Sequence, residues 1–179
     1  MPGSHGECLY VVDTSSLIRA TEYYPLDRMG IYWGRIDSLI SEGRLISTDF
    51  VYREIEAYNG ILSNWIKKRK ILFQSPTEEE ETEVKTILKN YPNLVNMANF
   101  PGPADPYVIA LAKTKKMTKK FSDVVLLNEE IKTDETRRRD PNWKPRIPNV
   151  CADYRITSRT VRQLIHLEEW DFPETMPTP

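Results

Sequence analysis

Histidine and cysteine are scarce in this chain of 179 residues, with two of each. Cys8 and Cys151 make no C-x-x-C pair and no secreted-style framework, so structural zinc is not expected and a reduced, cytoplasmic setting is the default. His5 and His166 are isolated, and His166 falls in a helical segment rich in apolar residues, where packing or surface placement is its ordinary role. No apolar run approaches the roughly 20 residues that cross a bilayer, and the N-terminus lacks the basic-then-apolar pattern of a signal peptide. A soluble protein without membrane contacts is therefore expected. Neither G-x-x-x-x-G-K-[ST] nor G-x-G-x-x-G occurs, which disfavours nucleotide hydrolysis on a phosphate-cradling loop. Charge of one sign is also lacking: 25 Lys+Arg stand against 26 Asp+Glu. The molecule as a whole is no general polyanion binder, and any nucleic-acid contact must be local.

What is present is a segregated charge pattern. Bases outnumber acids between Lys113 and Arg146, whereas Glu78 to Glu83 is almost purely acidic. The length suits one domain, expected over residues 7–170, with a disordered tail over 171–179. Short apolar runs alternate with amphipathic segments, the pattern of strands joined by crossover helices. Strands are expected at Leu9–Val12, Arg44–Ser47, Val124–Leu127 and Tyr154–Ile156. Helices are expected at Ser15–Thr21, Met29–Glu42, Asp49–Tyr58, Ile61–Lys70, Thr77–Asn90, Pro106–Lys116 and Ser158–Glu169. Ser75-Pro76-Thr77-Glu78 combines a cap, an early proline and an acid three residues after the cap. Breakers at Asn90–Asn93 and Phe100–Pro103 read as a long loop, and the basic, proline-containing stretch Lys132–Pro148 as a mobile one.

Four stretches carry carboxylates to places where water is not their natural neighbour. Asp13 ends the apolar run Leu9–Val12 and is followed by three hydroxyl residues, of which Ser15 and Ser16 can cap a helix or orient the acid. In the helix from Asp49, at about 100° per residue, Phe50, Val51, Ile55 and Tyr58 share an arc that includes Glu54. An unpaired carboxylate on a core face costs several kcal/mol unless a cation or donors compensate it. Asp105 shares the face of Val108, Ile109 and Ala112, although Asp followed by Pro is also an ordinary helix start. Val124–Leu127 reads as a central parallel strand and runs directly into Asn128-Glu129-Glu130. Alternation sends Glu129 and Glu130 in opposite directions and favours Glu130 as the acid that reaches a common site. Carboxylates without histidine or thiol suit a hard cation, Mg²⁺ or Mn²⁺. Asp13, Glu54, Asp105 and either or both of Glu129 and Glu130 are thus the candidate metal ligands. A phosphotransferase of the haloacid-dehalogenase kind would need a second Asp two residues after the first, where Ser15 stands.

These stretches resemble PIN domains, the metal-dependent ribonuclease fold that includes VapC-type toxins of toxin–antitoxin pairs. The resemblance is carried by Val11–Ile18, Asp49–Ile55, Ala104–Ala112 and Val124–Glu130, in an order and spacing that span roughly Leu9 to Trp170. Within that family the chain looks most like a PIN-like subgroup with an Asp-Pro-aromatic-Val-Ile-Ala-Leu-Ala helix and an Ile-Pro-Asn-Val-Cys segment, here Ile147–Cys151. The resemblance implies a three-layer α/β/α sandwich with a mainly parallel central sheet. It also implies an acidic pocket with one or two Mg²⁺ or Mn²⁺ ions and hydrolysis of RNA phosphodiester bonds leaving a 5′-phosphate. Asp13, Glu54 and Asp105 take the places of the family's metal-binding acids and, with Glu130, become the expected catalytic residues. Ser15 and Asn128 would orient them. The fourth acid departs from the pattern, since Asn128-Glu129-Glu130 stands where an Asp after Thr or Ser is usual. Lys132, Arg137, Arg138, Arg139, Lys144 and Arg146 are expected to draw in RNA phosphates, and Trp143 is the tryptophan expected to be free to stack on bases, Trp33 and Trp65 being core or dimer contacts. An antitoxin partner and a homodimer follow from the resemblance alone. The alternative is a PIN-like fold kept as a non-catalytic nucleic-acid or protein binding module.

Overall fold

The computed structural model describes residues 7–58, 60–96 and 103–172. Three strands form the centre: β1 (Leu9–Val12), β2 (Leu45–Thr48) and β4 (Val124–Leu127), with β3 (Phe73–Gln74) and β5 (Thr157–Arg159) at the edges. The order is β3-β2-β1-β4-β5 and every pairing is parallel. Every residue of β1, β2 and β4 is buried, as a sheet covered on both faces requires. Parallel neighbours need crossovers, and the helices provide them. These are α1 (Thr14–Tyr23), α2 (Gly30–Ser41), α3 (Asp49–Ala57), α4 (Ile61–Lys67), α5 (Glu78–Asn90), α6 (Asp105–Met117), α7 (Ile147–Asp153) and α8 (Val161–Leu167). The architecture is an α/β sandwich of the expected three-layer kind. Among the described residues no helix is long and apolar enough to cross a membrane.

Helix α6 explains much of the packing. Val108, Ile109, Ala110, Leu111 and Ala112 are all buried, so this stretch is covered on every side. It lies against β1, β2 and β4 and also touches α5 and α7. Truncating Ile109, which is fully buried, would cost about 2–5 kcal/mol through lost transfer energy and the cavity left behind. Trp33 and Trp65 are buried and meet edge to face at 4.9 Å, so both serve the core, and His166 is exposed.

The topology decides where a ligand belongs. The chain steps outward from β1 to β2 and β3, then returns to the other side of β1 for β4 and β5. The winding direction therefore reverses between β1 and β4, and the crevice beyond the carboxyl ends of such a pair is where open α/β sheets bind ligands. Asp13 leaves β1 there, and its backbone N–H donates to Leu127 O of β4 at 3.0 Å.

Several boundaries differ from expectation. The last strand lies at Thr157–Arg159 rather than Tyr154–Ile156, because Arg155 takes a left-handed turn (φ 55°) that ends α7, and only the residues after Ile156 lie alongside β4. Helix α8 accordingly starts at Val161, capped by Thr160 with Gln163 closing the box. Strand β3 was not foreseen; two residues carry no readable alternation. Helix α7, whose first two residues fall in the expected loop and whose other five carry no expectation, is seven residues opened by a proline. The cap of α5 is Thr77 paired with Glu80, not Ser75 with Glu78. Tyr58 is exposed, and Phe172 packs against the core, beyond the expected domain end. His5, residues 173–179 of the expected tail and most of the Phe100–Pro103 loop lie outside the described residues.

Candidate metal centre

Asp13 is buried at the start of α1, where its carboxylate accepts from Ser15 N (3.2 Å) and Ser15 Oγ (2.7 Å). It is both the cap of that helix and a wall of the crevice. Burial pushes it up to about 6, and the Glu54 charge adds to this against the hydrogen bonds from Ser15 and Thr14, which lower it. Glu54, in the second turn of α3, ties two helix starts together. One oxygen accepts from the Thr14 hydroxyl and the other from Ala104 N at 2.9 Å. The expectation that it faces inward holds, since it is half-buried, and the donors that satisfy it are a threonine and a backbone amide rather than an arginine.

Asp105 is the first residue of α6 and is not its cap; the preceding Ala104 provides no side-chain hydrogen bond. Burial pushes Asp105 up to about 8, helped by the charges of Asp13, Glu130 and Glu54, while its own backbone N–H lowers it. Each of the other three carboxylates thus bears on Asp105 electrostatically. Among the described residues no hydrogen bond from another residue and no ion pair to Asp105 is found.

The two glutamates after β4 part company. Glu130 accepts from Ile147 N (2.9 Å) at the start of α7 and pairs with Arg146 Nη1 (2.9 Å), and its charge raises Asp105. Glu129 instead accepts from Val161 N (2.8 Å) at the start of α8 and from Ser16 Oγ at 3.5 Å. Of the two, Glu130 is the neighbour of the other acids. Asn128, almost fully buried, accepts from Glu130 N (3.2 Å) and donates to Ser158 Oγ (2.6 Å), while Ser15 Oγ accepts from Glu129 N (3.1 Å). Both residues expected to orient the acids do touch them.

Among the described residues no group of three or more His, Cys, Asp and Glu side chains is arranged to hold a metal ion. Like charges in low dielectric repel, and Glu54, Asp13 and Glu130 each already hold protein donors. Cys151, buried in α7, lies close enough for Asp13 to raise it and Lys132 to lower it; burial dominates and pushes it up to about 12, so it is inert.

The basic loop is tied to α7 by hydrogen bonds. Asn149, fully buried in α7, accepts from Thr133 N (3.0 Å), Thr133 Oγ1 (3.1 Å) and Arg146 N (2.9 Å). It also donates to Thr133 O (3.1 Å) and Glu135 Oε1 (2.6 Å). Three of the expected RNA-binding bases are already paired: Arg137 with Asp140, Arg138 with Asp153 and Glu135, and Arg146 with Glu130. Lys132, Arg139 and Lys144 are exposed without an ion pair among the described residues. Trp143 is held in place rather than free to swing. It is half-buried, its indole N–H donates to Asp134 O (2.9 Å), and Arg138 lies 5.2 Å from its ring.

Sequence reasoning missed Thr14, which holds Glu54, and Asn149, which holds the loop. Thr14 belongs to the hydroxyl run after Asp13, and Asn149 stands three residues after Arg146 in a proline-opened helix, a capping pattern that was open to reading. The family described as Domain of unknown function (DUF4411) matches residues 10–172, and the chain belongs to it. No curated protein matches the chain.

Proposed function

We propose that this member of the domain-of-unknown-function family is a PIN-like, Mg²⁺- or Mn²⁺-dependent endoribonuclease. The observation that carries the reading is Asp105: a half-buried acid with no ion pair among the described residues, raised by burial and by three further carboxylates at the point where the sheet reverses its winding. No arginine or lysine pairs with Asp13, Glu54 or Asp105 among the described residues, so no protein cation competes there with a bound one. An all-oxygen set of this kind fits a hard divalent ion.

Asp13, Glu54, Asp105 and Glu130 would hold the ion, with Arg146 giving way at Glu130. A bound divalent ion supplies a water acidified toward neutral pH and neutralises charge growing on the phosphate. The chain's own residues do the positioning. Ser15 fixes the Asp13 carboxylate, Thr14 and Ala104 N fix Glu54, and Asn128 with Ile147 N sets the backbone and side chain of Glu130. Lys132, Arg139 and Lys144 offer charge to a phosphate backbone that the acids would otherwise repel. Partnership with an antitoxin, and a homodimer, rest on the PIN resemblance alone.

The test compares Mg²⁺- and Mn²⁺-dependent cleavage of single-stranded and structured RNA by wild type, Asp13→Asn and Asp105→Asn, with ion binding followed by calorimetry. Cleavage lost in both variants together with ion binding supports the proposal. Cleavage that survives both would refute it. RNA retained but never cut would favour the non-catalytic binding module.

A further inference from the structure

The basic loop comes back to its own origin. Glu130, where it leaves β4, holds Arg146, where it enters α7. Its far end closes a second cleft, of about 430 Å³, against the turn that follows α5. Asn93 clamps the two walls, its Nδ2 donating to Pro141 O (2.7 Å) and Trp143 O (3.0 Å). Flat apolar surfaces line the cleft: Tyr91, Pro92 and Trp143. The Trp143 ring is fixed by the hydrogen bond to Asp134 O and by the Arg138 guanidinium above it, itself held by Asp153 at 2.7 Å and Glu135 at 3.0 Å. Asp140, the acid of the lining, is tied up by Arg137 (2.8 Å) and Asn142 N (2.8 Å). Arg139 is left as an exposed guanidinium of the lining with no ion pair among the described residues.

Rigid aromatic and proline faces beside one uncompensated guanidinium match a planar base joined to a phosphate. A proline-rich peptide would use the faces but offers no anion to Arg139. Inorganic phosphate would use Arg139 and leave the faces uncovered. We infer that this cleft binds one nucleotide unit of single-stranded RNA, its base against Trp143 and its phosphate on Arg139, away from the site of cleavage. The inference rests on the nuclease reading for the choice of RNA as the source of that nucleotide. Fully extended, the chain from Glu130 to Arg139 spans at most about 30 Å, so a strand of several nucleotides can reach both the cleft and the acids.

The experiment measures binding of a labelled short single-stranded oligoribonucleotide in chelator, where nothing is cut, to wild type, Arg139→Glu, Trp143→Ala and Asn93→Ala. Circular dichroism checks the fold of each. Arg139→Glu is expected to weaken binding about 10-fold and to lower the salt dependence by roughly one counterion. Trp143→Ala is expected to weaken it roughly 5- to 150-fold, the range for one stacked base. Unchanged affinity in the exposed Arg139→Glu variant overturns the inference. So does a 5′-mononucleotide that binds as tightly as the oligomer, or a proline-rich peptide that binds where the oligomer does not. Binding that Arg139→Glu weakens, without Mn²⁺-dependent cutting of any RNA, leaves the cleft standing and sinks the nuclease reading. Cutting that is lost in Asp13→Asn while oligomer affinity ignores Arg139 does the reverse.

Discussion

Replacing Asp105 by asparagine keeps the shape of the side chain and removes its charge, so it isolates the electrostatic cost of the basin. The unfolded carboxyl ionises near 3.8 and the folded one near 8. Between those values the folded protein keeps a proton that the unfolded chain has released, so without metal the protein loses stability as pH rises. The loss is absent below about 4, grows through neutrality and is complete above about 8. At about 1.36 kcal/mol per unit, the span from 3.8 to 7 sets a ceiling of roughly 4 kcal/mol at neutral pH. Water entry and relaxation of Glu54 and Glu130 reduce this, and a net gain of about 1–3 kcal/mol for Asp105→Asn at pH 7 is expected. In a domain of this size that is a rise of roughly 3–8 °C in Tm. Thermal denaturation in chelator at pH 5, 7 and 8 reads it directly. Wild type should melt lower as pH rises, Asp105→Asn should show a flatter profile, and Mn²⁺ should restore wild type, but not the variant, most strongly at pH 8. A wild-type Tm that is flat or rising from pH 5 to 8, or a variant less stable than wild type at pH 8, would refute the idea that four carboxylates share this crevice.

Ser15→Ala removes a donor that lowers Asp13, so the Asp13 carboxyl should rise further above 6 and the acidic limb of the pH–rate profile should move to higher pH. Ion affinity should fall about 10- to 100-fold in the same variant, and an unmoved limb with unchanged calorimetry would exclude Ser15 from the site. Asn149→Ala should cost about 2–4 kcal/mol in urea unfolding, because it removes a buried side chain and the five hydrogen bonds it makes. It should also hasten tryptic cleavage after Arg137, Arg138 and Arg139; protection equal to wild type would mean that the loop is held by something else. Arg146→Gln frees Glu130 from an exposed ion pair worth no more than about 1 kcal/mol, so Mn²⁺ affinity should rise up to about 5-fold, and a fall would show Arg146 supporting the site rather than competing for it.

The parallel sheet, the end of β1 at Asp13 and the run from β4 into Glu130 were legible because buried strands are continuous apolar runs and their abrupt ends are visible in one dimension. The inward face of Glu54 followed from helical periodicity in the same way. Two elements were not: β3 has only two residues, and α7 opens on Pro148 at the end of a basic, proline-containing stretch that reads as loop. Nor could composition reveal that Arg138 and Arg146 are already paired, since Asp153 and Glu130 become their partners only after the loop folds back on α7, whereas Arg137 pairs locally with Asp140. Local sequence determined which residues carry charge and which faces are apolar, because those properties belong to single side chains and to the geometry of one helix or strand. Tertiary structure alone decided that Asp105 has no ion pair among the described residues while Glu130 has one, and that Glu129 turns to α8, because a carboxyl's environment is set by groups brought from distant parts of the chain.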